Sequence, residues 1–216
     1  VPSIVMNGIG SVMNFGMNQV LLSFKEVNAA GVVLGETAAG VFGIYFKLQS
    51  FFFMPLFGIN GATISIVAYN YGARKPQRIV KTLKIACVVA LLIMIGGLLA
   101  FQFIPGWLLN RFHPSEDFLE IGVKALRTIS WCFPVASLCI ALGASFQALG
   151  DGIYSTLVSL CRQLLVLLPV AYLLSLTGNV GNVWWAYPIA EIVSLTATVI
   201  FFRRIYRQKI QPLFGE

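Results

Sequence analysis

Three formal charges lie inside otherwise apolar runs of this sequence: Lys47, Arg162 and Glu191. A charge at the centre of a membrane helix costs about 2.5–3.5 kcal/mol on insertion scales, so a side chain of this kind is expected to face a cavity, a partner or an ion pathway. Arg162 and Glu191 could form an ion pair with a charge-assisted hydrogen bond. Alternatively, Glu191 could hold a proton or a bound cation while Arg162 reaches back towards the interface. Arg162 lies about 14 Å in from Ile153 at one end of its run, and Glu191 about 12 Å in from Val183 at the opposite end of the next, at 1.5 Å per residue. In a hydrocarbon core of about 30 Å these depths differ by only about 4 Å. A pair between two adjacent antiparallel helices is therefore expected, with Ser155 and Ser159 on the same face as Arg162.

Lys47 shares a face with Gly40, Gly43, Ser50, Met54, Gly58 and Gly61 at helical spacing. Such a small-residue face permits close helix contact or borders a cavity; the alternative is that Lys47 snorkels to the outer interface. Gln49 and Asn60 form a stripe on the opposite face of that run, and polar glue between helices is the plainer role for them. The candidate transport or cleft residues are thus Lys47, Gln49, Met54, Asn60, Arg162 and Glu191. Enzyme chemistry finds no footing. The sequence has no P-loop, nucleophile elbow, HExxH or strand-borne GxGxxG. Its only histidine, His113, sits in a loop beside Pro114. Cys87, Cys132, Cys139 and Cys161 lie in apolar segments without a CxxC, as inert core residues do. Neither an enzyme, a metal site nor a cofactor is expected.

The elements that must position these residues are membrane helices. Of 216 residues, 58% are hydrophobic and only 11% charged, against about 25% charged in a soluble domain. Six helical runs cover residues 2–24, 37–69, 79–103, 118–149, 153–174 and 183–202, each long enough for a core that needs roughly 20 residues. The second and fourth are longer than one crossing requires and carry Pro55 and Pro134 as candidate kinks. Gly150-Asp151-Gly152 and Thr177-Gly178-Asn179 read as tight turns, and Pro114-Ser115-Glu116-Asp117 as a helix start with acids in its first turn. Most of Phe51-Phe52-Phe53 should meet lipid or other helices. Trp184, Trp185 and Tyr187 read as an outer-interface aromatic belt. No charged segment precedes the first run, so no signal peptide is expected, and the start at Val1 leads us to expect a truncated chain. The loop around Arg74–Lys84 and the segment 203–216, a basic tail, together hold nine basic residues and, with the 150–152 turn, two acids; the opposite side holds four basic and five acidic residues. The positive-inside rule then places the basic side and the C-terminus in the cytoplasm, the net charge of +7 reflecting topology and not a nucleic-acid partner.

Gly43-Ile44-Tyr45-Phe46-Lys47-Leu48-Gln49-Ser50, continuing through Pro55 to Asn70-Tyr71-Gly72-Ala73 and then Arg78, resembles the C-terminal half of the MATE family of multidrug and toxic-compound extruders. Arg162-Gln163 leading to Leu168-Pro169-Val170-Ala171-Tyr172 is similar to helix eleven of that family, and Gly181 through Val183-Trp184-Trp185-Ala186-Tyr187-Pro188 to Glu191 is similar to helix twelve. The resemblance implies an all-α membrane protein, six transmembrane helices forming one lobe of a twelve-helix transporter, with an N-terminal six-helix lobe of the same protein as its partner. It implies export of organic cations or other amphipathic small molecules across the cell membrane in exchange for H⁺ or Na⁺. Asn70, Tyr71, Gly72, Ala73 and Arg78 correspond to a cytoplasmic loop motif. Many family members carry a membrane acid in the first or fourth helix of this lobe. Here the first run has none and Glu120 lies only at the outer end of the fourth, which leads us to expect the coupling acid in the other lobe. A lipid-linked oligosaccharide flippase of the same superfamily and a non-transporting assembly subunit are the alternatives.

Overall fold

The computed structural model describes residues 2–26, 33–112 and 114–214; His113 lies outside them. The described residues form helices and turns apart from an isolated bridge at Val33. Helix α1 covers Pro2–Leu22, α2 Leu34–Gly72, α3 Pro76–Phe103 and the short α4 Pro105–Asn110. Next come α5, Glu116–Ser130, and α6, Phe133–Ala148. The next span runs as α7, Gly152–Leu160, then a π-helical stretch Cys161–Leu167, then α8, Leu168–Ser175. A single turn, α9 at Val180–Val183, leads into α10 at Ala186–Ile205.

Four of these helical segments are long and apolar enough to cross a membrane, and the α5–α6 pair makes a fifth when taken as one span. Helix α1 is also long enough, about 31 Å at 1.5 Å per residue, but Asn14, Asn18 and Gln19 make it less apolar. Helix α6 is central: it packs against α2, α3, α7 and α10, while α1 lies along α2, α7 and α8. The main core joins Met17, Phe42, Phe101, Phe133 and Trp184. A second, smaller core at one end joins Val67, Ile79, Phe146, Ile205 and Ile210.

The boundaries follow from local chemistry. Ser115 caps α5 by accepting a hydrogen bond from the Phe118 backbone N–H at 3.4 Å, with Glu116 and Asp117 in the first turn where the helix dipole favours acids. Pro76 opens α3, where its missing N–H costs nothing. The two expected glycine turns are present: Gly150 at φ +81° and Gly178 at φ +73°, a conformation glycine adopts without steric cost. Gly35 marks the closest approach of α2 to the end of α1; a Cβ there would lie 2.6 Å from the carbonyl oxygen of Phe24.

Three expectations change. The run 118–149 is not one helix but α5 and α6, bent by 46° at Trp131-Cys132. Pro134 cannot donate to the carbonyl one turn back and its ring crowds that turn, so the chain restarts as a new helix with proline in its first turn. The run 183–202 likewise begins as α9 and restarts after Trp184-Trp185. The segment 203–216 is not a free tail as far as it is described. α10 continues to Ile205, a π turn spans Tyr206–Ile210, and a 3₁₀ turn spans Gln211–Phe214. Ile205 and Ile210 are fully buried, and Lys209 Nζ lies 2.8 Å from Asp151 Oδ2 and donates to the Leu149 carbonyl at 2.8 Å.

Candidate functional site

A cavity of 530 Å³, mainly apolar but with several polar side chains in its wall, opens inside the lobe among α1, α2, α6, the α7–π span and α10. Its charged feature is the expected pair: Arg162 Nη1 donates to Glu191 Oε1 at 3.0 Å. The two side chains retain 23% and 10% of their exposure, which places the contact against the cavity and away from lipid. Arg162 sits in the π stretch just ahead of Pro169. A proline disfavours the α register of the turn before it, and π turns of this kind are frequent at functional positions.

Gln49 and Asn60 also line the cavity. The glue reading does not describe them fully, because the buried Oε1 of Gln49 and Oδ1 of Asn60 have no hydrogen-bond partner among the described residues. The Tyr187 hydroxyl and Glu191 Oε2 are in the same state. Buried polar atoms left this way are costly unless water or a ligand meets them, so the cavity wall is suited to hold one or the other. Aromatic rings of Tyr45, Phe46, Phe53 and Phe57 supply the apolar part of the wall.

Lys47 and Met54 are not brought into this cavity. Both are exposed, Met54 at 73%, on the outward side of α2 together with Gly43, Gly58 and Gly61, where an added Cβ would meet nothing within 4 Å. The helix is apolar all round, so spacing alone could not say which face turns inward; the inward one is the Gln49–Asn60 face. The aromatic belt is also corrected. Trp184 is completely buried and Tyr187 lines the cavity, leaving only Trp185 exposed, at 51%. Asn14 on α1, Gln147 on α6 and Gln163 beside Arg162 were not singled out from sequence yet line the cavity. Amides inside apolar runs are the signal that could have found them.

The loop motif closes the other end of α2. Asn70 is buried and donates through Nδ2 to the Ile66 carbonyl at 2.8 Å, while its own carbonyl accepts from the Lys75 N–H at 2.9 Å. Tyr71 packs on the smaller core, and Gly72, Ala73 and Arg78 are exposed. These contacts give Asn70 a role in stopping the helix and turning the chain into α3. Cys132 and Cys139 are buried and Cys87 and Cys161 half-buried, all as free thiols.

Comparison with known proteins places this geometry. The family model described as MatE matches residues 2–173. The probable multidrug resistance protein YoeA of Bacillus subtilis is 24% identical over 199 residues, covering 89% of this chain and 42% of that protein. The multidrug export protein MepA of Staphylococcus aureus is 22% identical, covering 90% of this chain and 44% of that protein. A solved MOP superfamily transporter from Pyrococcus furiosus superposes with a TM-score of 0.85 at 21% identity, over 98% of this chain and 45% of that one. The chain spans less than half the length of the relatives it matches.

Proposed function

The chain belongs to the MATE family of multi-pass membrane transporters, and from that premise we propose that it forms one half of an exporter of small amphipathic compounds, organic cations among them, driven by inward flow of H⁺ or Na⁺. The observation that carries this reading is the cavity, whose wall combines unpartnered amide and hydroxyl atoms with aromatic rings inside a membrane-spanning lobe. Such a wall can hold a planar apolar compound by stacking and orient it by a few hydrogen bonds. The names of YoeA and MepA and the half-length coverage support the same reading, with a second six-helix lobe supplying the facing wall. Arg162 neutralises Glu191 within the lobe, which supports a coupling acid in the other lobe. The same pairing disfavours a lipid-linked oligosaccharide flippase, because the deep basic residue of the described cavity wall is already engaged.

In the complete transporter, Gln49→Leu with Asn60→Leu should cut export of a cationic dye by more than tenfold, as expected for two lost hydrogen bonds of about 1 kcal/mol each, with folded protein unchanged. Dye efflux at the original rate in the double variant would remove the cavity from the transport path.

We further propose that the Arg74–Lys84 loop and the end of α10 face the cytoplasm and the Arg111–Asp117 loop the outside, on the charge asymmetry of the two sides. With native cysteines replaced, Ser115→Cys should react with an impermeant thiol reagent in intact cells and Gln77→Cys should not. The reverse pattern overturns the orientation.

A further inference from the structure

A second concavity lies at the far end of α10, about one helical turn beyond Thr198, where the first cavity ends on that helix. Phe202, Arg203, Tyr206, Arg207, Gln211 and Phe214 form it. It exists because the chain does not leave the lobe there. The π turn carries Arg207 on the same side as Arg203, and the 3₁₀ turn brings Gln211 and Phe214 back to close the opposite wall. The platform is anchored by the burial of Ile205 and Ile210, by Lys209 on Asp151 and by contact of the 3₁₀ turn with α3.

The charges on this platform divide cleanly. Lys209 is consumed by its structural contacts, whereas Arg203 and Arg207 are exposed and form no ion pair among the described residues. No acid is among the described residues that line the groove. The groove also holds apolar rings: Phe202 and Tyr206 lie 6.1 Å apart between centroids with their planes tilted by 41°, and Phe214 is 50% exposed. Arg203 is about 26 Å along α10 from Ala186 at 1.5 Å per residue, which puts the groove at the far boundary of a core of about 30 Å. A ligand that fits must carry negative charge at the headgroup level and an apolar part just below it.

We propose that this groove binds the headgroup of an anionic phospholipid of the adjacent leaflet, its phosphate held by Arg203 and Arg207 and its upper acyl chain laid on Phe202 and Phe214. Arginine's planar fork suits bidentate phosphate contact, and basic pockets at the membrane surface attract anionic lipid at close range. The inference needs only that the lobe sits in a membrane and is independent of what it exports.

The test is lipid retention and thermal stability of the purified protein in discs of phosphatidylglycerol mixed into phosphatidylcholine, or of phosphatidylcholine alone. Phosphatidylglycerol should be retained selectively and should raise the melting midpoint. Arg203→Gln with Arg207→Gln should weaken that retention by about tenfold or more, while the charge-matched Arg78→Gln with Lys81→Gln should keep it. Lys209→Gln should lower the midpoint equally in both lipids, as a structural contact would. Three outcomes overturn the proposal: no preference for phosphatidylglycerol in the unmodified protein, equal loss in both double variants, or the same stabilisation by inorganic phosphate in phosphatidylcholine discs. The first comparison uses unmodified protein, so it decides the matter even where a variant fails to fold.

Discussion

Arg162→Ala should lower the stability of the lobe by about 3–5 kcal/mol, the cost of stranding one member of a buried ion pair. Glu191→Gln should also destabilise it, by less, because the amide oxygen can still accept from Arg162. The double variant should recover part of the summed loss, since the 3.0 Å contact couples the two positions. Detergent-induced unfolding of the purified protein measures all three. Strictly additive losses would show that the two side chains do not stabilise each other. If Glu191→Gln left stability intact and moved only the pH dependence of transport, Glu191 would be the coupling acid and the assignment of coupling to the other lobe would fail.

This pair was legible before any coordinates because its warrant is one-dimensional: helix rise, a short turn and the thickness of the membrane fix two heights, and the heights agree. The Gln49–Asn60 stripe was legible for a related reason, since two amides on one face of an apolar run must both turn towards something polar. What the sequence withheld was direction around a helix axis. Lys47 and Met54 look as cavity-facing as Gln49 does when every other face is also apolar. Trp184 and Tyr187 have the composition of an interfacial belt, but the break after α9 turns both rings inward. Ile205 and Ile210 are five residues apart, a spacing that matches a π turn and not an α-helical face, so the fold-back beyond α10 left no helical pattern to read. The division of 118–149 was half legible: Pro134 announced a kink, but not that a helix would end at Ser130, ahead of it, and a new one start at Phe133.

The lobe reconstituted by itself should show no efflux that depends on an ion gradient, with flux at the level of empty vesicles, whereas the complete transporter should show it. Alternating access in folds built from repeats is the rocking of one repeat against another around a shared site, and on the outward face of α2 Lys47 and Met54 are exposed and a Cβ at Gly43, Gly58 or Gly61 would meet no described residue within 4 Å. Gradient-driven efflux from vesicles holding only these 216 residues would contradict this, unless cross-linking in the same vesicles trapped a dimer in which a second copy takes the place of the missing wall.

The smaller core at the end of α10 also sets an order of events. Val67, Ile79, Phe146 and Ile210 belong to it, so its parts leave the ribosome far apart in time. During synthesis, the joined ends of α2 and α3 and the α6–α7 turn must stand without their final neighbour until Ile210 and Lys209 arrive. Contacts between residues this distant in sequence form late. Until then, Phe146 and Leu83 present an apolar surface at the membrane edge, and Asp151 waits without its lysine. The turns from Tyr206 to Phe214 therefore close this end of the lobe, and a nascent chain stopped before Tyr206 would carry α1 to α10 with that end still open.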